Sequence, residues 1–582
     1  MTANADDMNG DLACDVLVIG SGGGALTAAI TARKAGLNVI VAEKMEVFGG
    51  TTATSGGMLW IPGNHHAPAI EQRLGEPDSP EKVRTYILEE AGNYAEIDRI
   101  DAFLKYGPEM IDFLERETHV KFIGMEYPDY YFKNPNAAKS RSLIAAEYDA
   151  KKLGKHFKQL KRQLPQLLFL GFAIGSSVEM QQFFKAGRSP KAFLAVAGKM
   201  ALHLVHTAIY GGARRVVRGG ALITRLAQSC FELDIPILLN SPAKSLIKEN
   251  GVVRGAMVDG PDGPRRIMAK HAVILGSGGF PWSKERRAQS YPANVDATPH
   301  SVANPGNVGD GARMAEDVGG VFGNDVSNAG AWMPTSVQPG IAGPKAVWPH
   351  LVDRLKPGFI CVTRHGKRFG NESCAYSSFV PQIIEATRGD TAGYVWLLGD
   401  KAAIDKWGMG RVRPSPLPRK HYLKSGYLIE APTVAALAKK LGIDPKTLTE
   451  TVERFNGFAK QGLDPDFQRG QDDYDAYQGD DENKWPNPCL GPLEKGPYYA
   501  IKMFAGEIGT FAGINVDRFA RVVDEAGQPI QGLYAVGNDQ KNVFGGSYPG
   551  AGATLGPSLT FGYVAGLHAS GQIGEEKARS AA

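Results

Sequence analysis

The clearest pattern of hydrophobic and polar positions lies near the start of the chain. Val16–Ile19 is an unbroken apolar run, which is typical of a strand buried on both faces. A glycine-rich turn, a stretch with helical periodicity and a second apolar strand follow, and this second strand ends at Glu43. This order of elements predicts the first unit of an α/β domain that binds a dinucleotide.

Small residues in the turn have separate physical tasks. Gly20 permits a tight turn, Gly22 lets the backbone approach a pyrophosphate, and Ala25 allows the helix to pack closely on the strand. The helix that opens after Gly24 offers unpaired N–H groups to phosphates. Glu43 lies 23 residues after Gly20 and is placed to accept hydrogen bonds from a ribose diol. The alternative for this pattern is an α/β unit that binds no nucleotide.

Composition adds limits on size and compartment. At 582 residues the chain exceeds one ordinary hydrophobic core, so we expect two domains. The 71 glycines suit a cofactor site that is lined by backbone. Five cysteines with no C-x-x-C spacing indicate a reducing compartment rather than a disulfide framework. The polar residues before the first strand contain no apolar core of a secretory signal, so we expect a cytoplasmic protein.

Residues 151–219 differ in composition from the rest of the chain. They hold 13 Lys and Arg against one acidic residue, Glu179, for a net charge of +12, whereas the remainder carries −8. Two apolar runs, Leu164–Ile174 and Phe193–Tyr210, lie among these charges, and neither reaches the ~20 uninterrupted apolar residues of a membrane span. Basic residues beside short apolar helices favour docking on the inner face of the membrane. The alternatives are a helical insertion packed on the body and, less well matched, a nucleic-acid surface.

The segment after the second strand indicates the cofactor by resemblance. Lys44–Gly57 has a Gly-Gly pair followed by small hydroxyl residues, and together with the glycine turn it resembles the flavoproteins of fumarate reductase and succinate dehydrogenase, which bind FAD. Ala272–Phe280 and Gly532–Asn538 resemble later strands of the same FAD domain. The residues that the resemblance implies as FAD contacts are Gly20, Gly22, Gly23, Gly24, Ala25, Glu43, Lys44, Gly49, Gly50, Thr51, Thr52, Ser55, Gly56, Gly57, Gly278, Gly279, Gly537, Asn538, Gly552 and Leu555.

The same resemblance implies the fold class and the domain order. We expect an α/β protein with a discontinuous Rossmann-type FAD domain, an α+β catalytic cap and a helical basic insertion. The predicted segments are 1–150, 220–335 and 496–582 for the FAD domain, 151–219 for the insertion and 336–495 for the cap. In succinate dehydrogenases a histidine holds FAD covalently, whereas Gly50 stands at the matching position here, so we expect noncovalent FAD.

The late glycine-rich segment departs from the fumarate reductase pattern. Phe544–Tyr563 contains no Arg, Lys or His, and Tyr548 stands where the cationic clamp for a dicarboxylate would begin. Without paired cations a doubly charged substrate cannot be desolvated at reasonable cost. A fumarate-reductase-like reaction is therefore disfavoured.

Three motifs instead resemble the 3-ketosteroid Δ1-dehydrogenases. They are YPGAGATLGP at Tyr548–Pro557, RFGNESCAY at Arg368–Tyr376 and YPDYY at Tyr127–Tyr131. TVERFN at Thr451–Asn456 also matches, and the resemblance covers nearly the whole chain outside 151–219. Some members of this family carry a comparable membrane-associating insertion.

This resemblance implies a role for each residue of a catalytic set. Tyr376 takes the C2 proton of the steroid with support from Tyr130, while the Tyr548 hydroxyl and the Gly552 N–H hold the C3 carbonyl oxygen. The flavin accepts hydride from C1. Desaturation beside a ketone needs such a base, a polarising group and a hydride acceptor, and a tyrosine with its ordinary pKa of about 10 needs a stabilised phenolate to serve as the base. Tyr131 beside Tyr130 leaves an ambiguity of one residue.

Other functions compete with this hypothesis. A 3-ketosteroid Δ4(5α)-dehydrogenase shares the scaffold but removes hydrogens across a different bond, and a flavin-containing membrane scaffold or carrier would catalyse nothing.

The expected partners are a 3-ketosteroid, a membrane surface through residues 151–219 and an unidentified electron acceptor, without nucleic acid. No metal is expected, because the adjacent His65 and His66 have no carboxylate or cysteine at metal spacing.

Overall fold

In the computed structural model, the described residues are 10–175, 177–187, 189–295, 298, 300–390 and 392–575. The helices are α1 (Gly23–Lys34), α2 (Ala67–Leu74), α3 (Pro80–Ala91), α4 (Ile97–Glu117), α5 (Ser177–Lys185), α6 (Pro190–Tyr210), α7 (Arg218–Glu232), α8 (Lys284–Ser290), α9 (Asp310–Glu316), α10 (Tyr376–Ala386), α11 (Lys401–Trp407), α12 (Lys420–Lys424), α13 (Val434–Leu441), α14 (Pro445–Gln461), α15 (Asp473–Gln478) and α16 (Leu555–Ala569). The strands are β1 (Leu12–Ile19), β2 (Val39–Ala42), β3 (Met58–Trp60), β4 (Phe122–Met125), β5 (Ser142–Ala145), β6 (Tyr148–Asp149), β7 (Arg215–Val216), β8 (Ile237–Leu238), β9 (Ala243–Glu249), β10 (Val252–Gly260), β11 (Gly263–Leu275), β12 (Phe322–Gly323), β13 (Gly330–Val337), β14 (Val347–Pro349), β15 (Phe359–Val362), β16 (Tyr394–Asp400), β17 (Ile429–Ala431), β18 (Tyr498–Thr510), β19 (Gly513–Ile514), β20 (Arg521–Val523) and β21 (Pro529–Ala535).

One mixed sheet combines strands from three distant parts of the chain. Its order is β20-β21-β11-β1-β2-β8, with β10 and β9 continuing from β11. The strands β21, β11, β1, β2 and β8 run parallel, as expected for a Rossmann-type unit. Helices α1 and α16 cross closely beside this sheet, because a Cβ at Gly24 or at Gly562 would collide with the backbone of the other helix.

A second, antiparallel sheet forms the cap. Its order is β14-β13-β18-β16-β15, and β17 pairs with β18. Alternate residues of its strands face two separate cores, with Phe359 in one and Ile360 in the other. Strands β13 and β18 extend the cap beyond both ends of the predicted range 336–495, since pairing along the sheet, which composition does not reveal, decides where it stops.

The two helices predicted in the cap are present as α13 and α14. Thr433 caps the start of α13 by accepting a hydrogen bond from Ala436 N–H at 3.1 Å, and Asp444 caps α14 through Thr447 N–H at 2.8 Å. Each helix ends at a glycine in the left-handed conformation, Gly442 and Gly462.

The basic segment 151–219 divides into two parts. Residues 150–160 pack into the main core through Ala150, Leu153, Phe157 and Leu160, and β7 pairs with β6 of the body. The part between them, which includes α5 and α6, lies on the outside. The predicted helix over Leu164–Ile174 is largely absent, because apart from a short 3-10 turn these residues run irregularly around a small aromatic core.

The apolar run Leu164–Ile174, which was expected to face a membrane, contributes to this small core instead. Phe172 is buried against Val196 and Met200 of α6, and its ring centroid lies 5.7 Å from that of Phe183. The exposed apolar surface belongs to the other side of α6, where Leu194 is 69% exposed. By length and composition alone, α6 could cross a membrane, and it is the helix among the described residues that meets this criterion.

Candidate active site

The glycine turn has the geometry that close approach of a phosphate requires. Gly20 has φ of +103°, and a Cβ there would collide with the Gly276 carbonyl oxygen across the sheet. A Cβ at Gly22 would meet only Thr52 Oγ1, at 3.8 Å, so the space above this residue is open toward the cleft. Gly22 precedes α1, whose N-terminus carries a partial positive charge. The turn therefore fits the pyrophosphate of a dinucleotide.

Glu43 follows β2 and is buried at the edge of the same cleft. Ser21 Oγ donates a hydrogen bond to Glu43 Oε2 at 2.5 Å, and the Met45 N–H donates to Oε1 at 2.9 Å. Burial raises the pKa of Glu43, and the hydrogen bond from Ser21 opposes this rise. The fixed carboxylate suits a ribose diol.

The loop after β2 continues along the cleft. Gly23 N–H donates to Thr52 Oγ1 at 3.1 Å, and Gly57 has φ of +69°, with Arg218 backbone so close that a Cβ would collide with it. Lys44 pairs with Asp310 at 2.5 Å. The predicted FAD contacts that line the cleft are Gly20, Gly22, Gly23, Gly24, Ala25, Glu43, Lys44, Gly50, Thr51, Thr52, Ser55, Gly56, Gly57, Gly278, Gly537, Asn538, Gly552 and Leu555.

Two predicted contacts lie behind the lining of the cleft. Gly49 packs against Ile223 of α7, where a Cβ would come within 2.9 Å of it. Gly279 donates its N–H to Asp539 Oδ1 at 2.8 Å, and Asp539 also accepts from Ser277 Oγ at 2.9 Å. These glycines shape the backbone of the site, and Asp539, which the sequence motifs did not reveal, holds the turn after β11.

Three tyrosines from distant parts of the chain meet at the other end of the cleft. Tyr130 donates a hydrogen bond to the Tyr376 hydroxyl oxygen at 3.2 Å. The ring centroids of Tyr130, Tyr376 and Tyr548 are each 5.4 Å from one another, and all three side chains are buried. Gly552, with φ of +104°, lines the same space, and α16 begins three residues later. The predicted catalytic set therefore comes together in one place.

Tyr130 and Tyr131, between which the sequence left an ambiguity of one residue, occupy different positions. Tyr130 lines the cleft, whereas the Tyr131 hydroxyl accepts a hydrogen bond from Tyr548 N–H at 3.1 Å. Tyr131 therefore supports the backbone that carries Tyr548.

Burial governs the acidity of this cluster. It raises the pKa of Tyr376 well above the ordinary value, and neighbouring Tyr548 adds to the rise. The hydrogen bond that Tyr130 donates has the opposite effect on Tyr376, because it stabilises the phenolate. Burial also raises the pKa values of Tyr130 and Tyr548.

A buried charged network holds the segment that leads into Tyr376. Arg354 donates to the carbonyl of Glu372 and, at 2.8 Å, to the carbonyl two residues before Tyr376. The Glu372 carboxylate pairs with Arg368 at 2.7 Å and with Arg469 at 3.2 Å. Arg368 and Glu372 belong to the RFGNESCAY motif, whereas Arg354 and Arg469 carry no sequence signal that links them to it.

A fourth aromatic residue of the site, Tyr474 of α15, was not predicted. Its ring centroid lies 5.1 Å from that of Tyr130, and it lines the cleft. The side chain of Asn371 donates to Asp475 at 2.7 Å and so connects α15 to the RFGNESCAY segment. Only the tertiary fold brings α15 to the cluster, because its sequence resembles no motif of the site.

The cleft is continuous from the glycine turn to the tyrosines and onward to the insertion, with a volume of about 2270 Å³. Beyond the tyrosines its walls come from the insertion, the cap and β4, and they contain apolar side chains together with charged ones such as Lys199 and Arg413. The large hydrophobic residues that line the cleft and are also exposed, and so mark its rim, are Ile123, Leu170, Phe193, Leu204, Leu351, Leu417 and Tyr477.

Comparison with known proteins places these features in a family. The sequence profile of the FAD binding domain family matches residues 15–555. The chain is 40% identical to 4-oxocyclohex-2-ene-1-carboxylate 5-dehydrogenase of Sinomonas cyclohexanicum, over 96% of this chain and 94% of that protein. It is 37% identical to 3-oxosteroid 1-dehydrogenase of Mycolicibacterium smegmatis, over 95% and 96% of the two chains. The crystal structure of 3-ketosteroid Δ1-dehydrogenase from Sterolibacterium denitrificans, in complex with 1,4-androstadiene-3,17-dione, superposes with a TM-score of 0.89 at 33% identity, covering 96% of this chain and 100% of that one.

Proposed function

On the premise that this chain belongs to the FAD binding domain family, we propose that it catalyses the FAD-dependent 1,2-desaturation of 3-ketosteroids. It resembles the 3-ketosteroid Δ1-dehydrogenases of that family along its whole fold. The observation that carries the proposal is the meeting of Tyr130, Tyr376 and Tyr548 at the end of a cleft that begins at the dinucleotide turn. Bound FAD supplies the acceptor for the hydride that leaves C1.

The side chains of the protein divide the remaining work. Tyr376 removes the C2 proton, and the hydrogen bond from Tyr130 stabilises the phenolate that must do so. The Tyr548 hydroxyl and the Gly552 N–H donate to the C3 carbonyl oxygen, where negative charge develops as C2 loses its proton. Because the cluster is buried, these donors act in a medium of low dielectric constant, in which each hydrogen bond to a developing charge is stronger.

Anaerobic titration tests the reaction and its regiochemistry. Androst-4-ene-3,17-dione should bleach the flavin and yield 1,4-androstadiene-3,17-dione. A Δ4(5α)-dehydrogenase would not desaturate this steroid between C1 and C2, and a noncatalytic carrier would leave the flavin oxidised. Succinate should neither bleach the flavin nor compete with the steroid. A flavin that stays oxidised with every 3-ketosteroid tried would contradict the proposal.

A smaller ketone that carries a carboxylate is the second candidate substrate. The relative that shares 40% identity is named for such a compound. Arg218 is a cation in the lining of the cleft. Burial lowers its pKa, and the charge of Glu179 opposes this fall. A carboxylate bound beside it would add a second negative charge, so Arg218 is the group that we expect to receive the substrate carboxylate. The test compound is 4-oxocyclohexanecarboxylate. If this compound bleaches the flavin, Arg218→Ala raises its KM and the steroid leaves the flavin oxidised, the second candidate replaces the first.

Glu43→Ala tests the cofactor end of the cleft. We expect weaker FAD binding by about 1–3 kcal/mol, because the ribose loses its hydrogen-bond acceptor. The Kd is measured by flavin fluorescence during dialysis against graded FAD. Glu46→Ala, three residues away beyond the strand, should leave the Kd unchanged.

We also expect FAD to be released by acid precipitation, as a noncovalent cofactor is. Flavin retained in the pellet would reject noncovalent binding.

We further propose that the outer face of α6 docks on the inner face of the membrane. This face is defined by Leu194, Leu202, Val205 and Ile209, which are 53–69% exposed. The exposed lysines of the same segment, including Lys155 and Lys191, would attract anionic head groups. The apolar rim of the cleft includes residues of this insertion, so a steroid dissolved in lipid could enter without crossing water.

Liposome flotation tests this docking. Wild-type protein should float with anionic vesicles at low salt and float less at 1 M salt, where the Debye length falls to about 3 Å. The double variant Leu194→Asp/Ile209→Asp should remain at the bottom of the gradient. The matched control Ile97→Asp/Leu463→Asp removes apolar residues of similar exposure, 52% and 51%, elsewhere on the surface and should still float.

A deletion gives a second test. Arg162 donates a hydrogen bond to the Ala213 carbonyl at 2.8 Å, so the ends of the excursion 164–211 lie close enough for a short linker. Replacing these residues should abolish flotation and leave FAD bound. If the intact protein does not float at low salt, the insertion packs on the body for another reason and docking is rejected.

A further inference from the structure

Two adjacent histidines and two carboxylates meet on the surface beside the start of α2. Glu115 Oε2 lies 2.8 Å from His65 Nε2 and 3.1 Å from His66 Nε2. Asp112 Oδ1 lies 2.6 Å from His65 Nδ1. The carboxylates come from α4, about fifty residues away in sequence, which is why local spacing did not reveal them.

Three of these side chains each offer one atom that could bind a metal ion. The atoms are His65 Nε2, His66 Nε2 and Glu115 Oε2, and all lie within 4.8 Å of one another. Around a tetrahedral ion with bonds of about 2.0–2.2 Å, neighbouring ligand atoms stand a little over 3 Å apart. The two N–O separations, 2.8 and 3.1 Å, therefore need to open by roughly half an ångström to admit the ion.

The surroundings fix the orientation of these ligands. Asp112 Oδ1 lies 2.6 Å from His65 Nδ1, and a carboxylate at this position favours the tautomer that carries its proton on Nδ1. In that tautomer the Nε2 lone pair faces Glu115 and is available to a cation between the two groups, an arrangement found at metal-bound histidines. The second oxygen of Glu115 accepts from Phe122 N–H of β4 at 2.6 Å. The buried side chain of Asn64 accepts from His66 N–H at 3.0 Å and so holds the loop that carries both histidines.

We propose that His65, His66 and Glu115 bind one Zn²⁺ ion, with water completing the coordination. Two imidazoles and one carboxylate suit zinc, whereas Mg²⁺ and Ca²⁺ prefer oxygen ligands throughout. The ion would join the loop after β3 to α4, and so would stabilise the fold at a site separate from the tyrosine cluster. This inference does not depend on the proposed reaction.

Equilibrium dialysis of the FAD-loaded protein tests the site. After treatment with EDTA and desalting, the protein should bind one Zn²⁺ per chain, measured by plasma mass spectrometry, and its melting temperature should rise with Zn²⁺ but not with Mg²⁺. His65→Ala and Glu115→Gln should each abolish stoichiometric binding. Asp112→Asn should raise the Kd by about 10–100-fold although Asp112 is not a ligand, because it orients His65.

His119→Ala is the matched control. His119 is also exposed and pairs with one carboxylate, Glu232, at 2.6 Å, but it has no second histidine beside it. Its removal should change neither the zinc stoichiometry nor the Kd. The proposal is overturned if the wild type binds well below one Zn²⁺ per chain, or if His65→Ala binds zinc as tightly as the wild type. Flavin absorbance of each variant confirms that it is folded.

Discussion

Tyr376→Phe should lower turnover by about 10²–10⁴-fold while FAD stays bound, the loss that follows removal of a general base. The phenylalanine fills the same space, but no hydroxyl remains to take the C2 proton. Tyr130 cannot take over as the base from its own position. Its hydroxyl donates a hydrogen bond to the Tyr376 hydroxyl oxygen, and so it stabilises a phenolate on Tyr376 rather than on its own ring. Steady-state turnover and exchange of the C2 proton with deuterium should fall together.

The pH dependence of the wild type gives an independent check on the same residue. A tyrosine base is active when deprotonated, and burial raises the pKa of Tyr376, so turnover should rise with pH throughout the neutral and alkaline range. This rise should disappear in Tyr376→Phe. Tyr291→Phe removes an equally buried hydroxyl that has no hydrogen-bond partner in the described structure, and it should leave activity unchanged. Full activity in Tyr376→Phe would reject the assignment of the base.

The cofactor half of the site could be predicted from sequence because its physics is local. The tight turn at Gly20, the open space above Gly22 and the carboxylate after β2 all lie within one strand–helix–strand unit, and each depends on residue type at a fixed spacing. The tyrosines of the proposed catalytic set could be located by resemblance to known motifs, since three separate segments carry them. Their mutual contacts, however, depend on the fold.

The features that sequence did not reveal are those made by long-range packing. Arg354 reaches the backbone before Tyr376 only because the cap sheet and α10 pack together, and Tyr474 reaches Tyr130 through α15. The same reason explains the insertion, in which the apolar run Leu164–Ile174 was expected to dock on a membrane, whereas Phe172 of that run packs against Met200. An apolar run can bury itself in many ways, and periodicity does not choose among them.

Tyr548→Phe should reduce turnover by about 10²–10³-fold, as the loss of one donor to a developing oxyanion does. This hydroxyl faces the catalytic space, with Thr554 Oγ1 at 3.5 Å, a separation long enough that a carbonyl oxygen could take its place as partner. Substrate binding should weaken as well, since the C3 carbonyl loses a hydrogen bond in the ground state, so KM should rise while kcat falls.

The contrast with Tyr376→Phe is what makes the two roles separable. When the base is retained and the carbonyl is less polarised, C2 exchange should slow but persist, and the rise of turnover with pH should survive in Tyr548→Phe because Tyr376 still ionises. Tyr534→Phe removes a buried hydroxyl that pairs with His568 at 2.8 Å in the FAD domain and should cost little activity. If Tyr548→Phe instead loses the pH dependence and keeps its affinity for steroid, Tyr548 is the base and the two assignments must be exchanged.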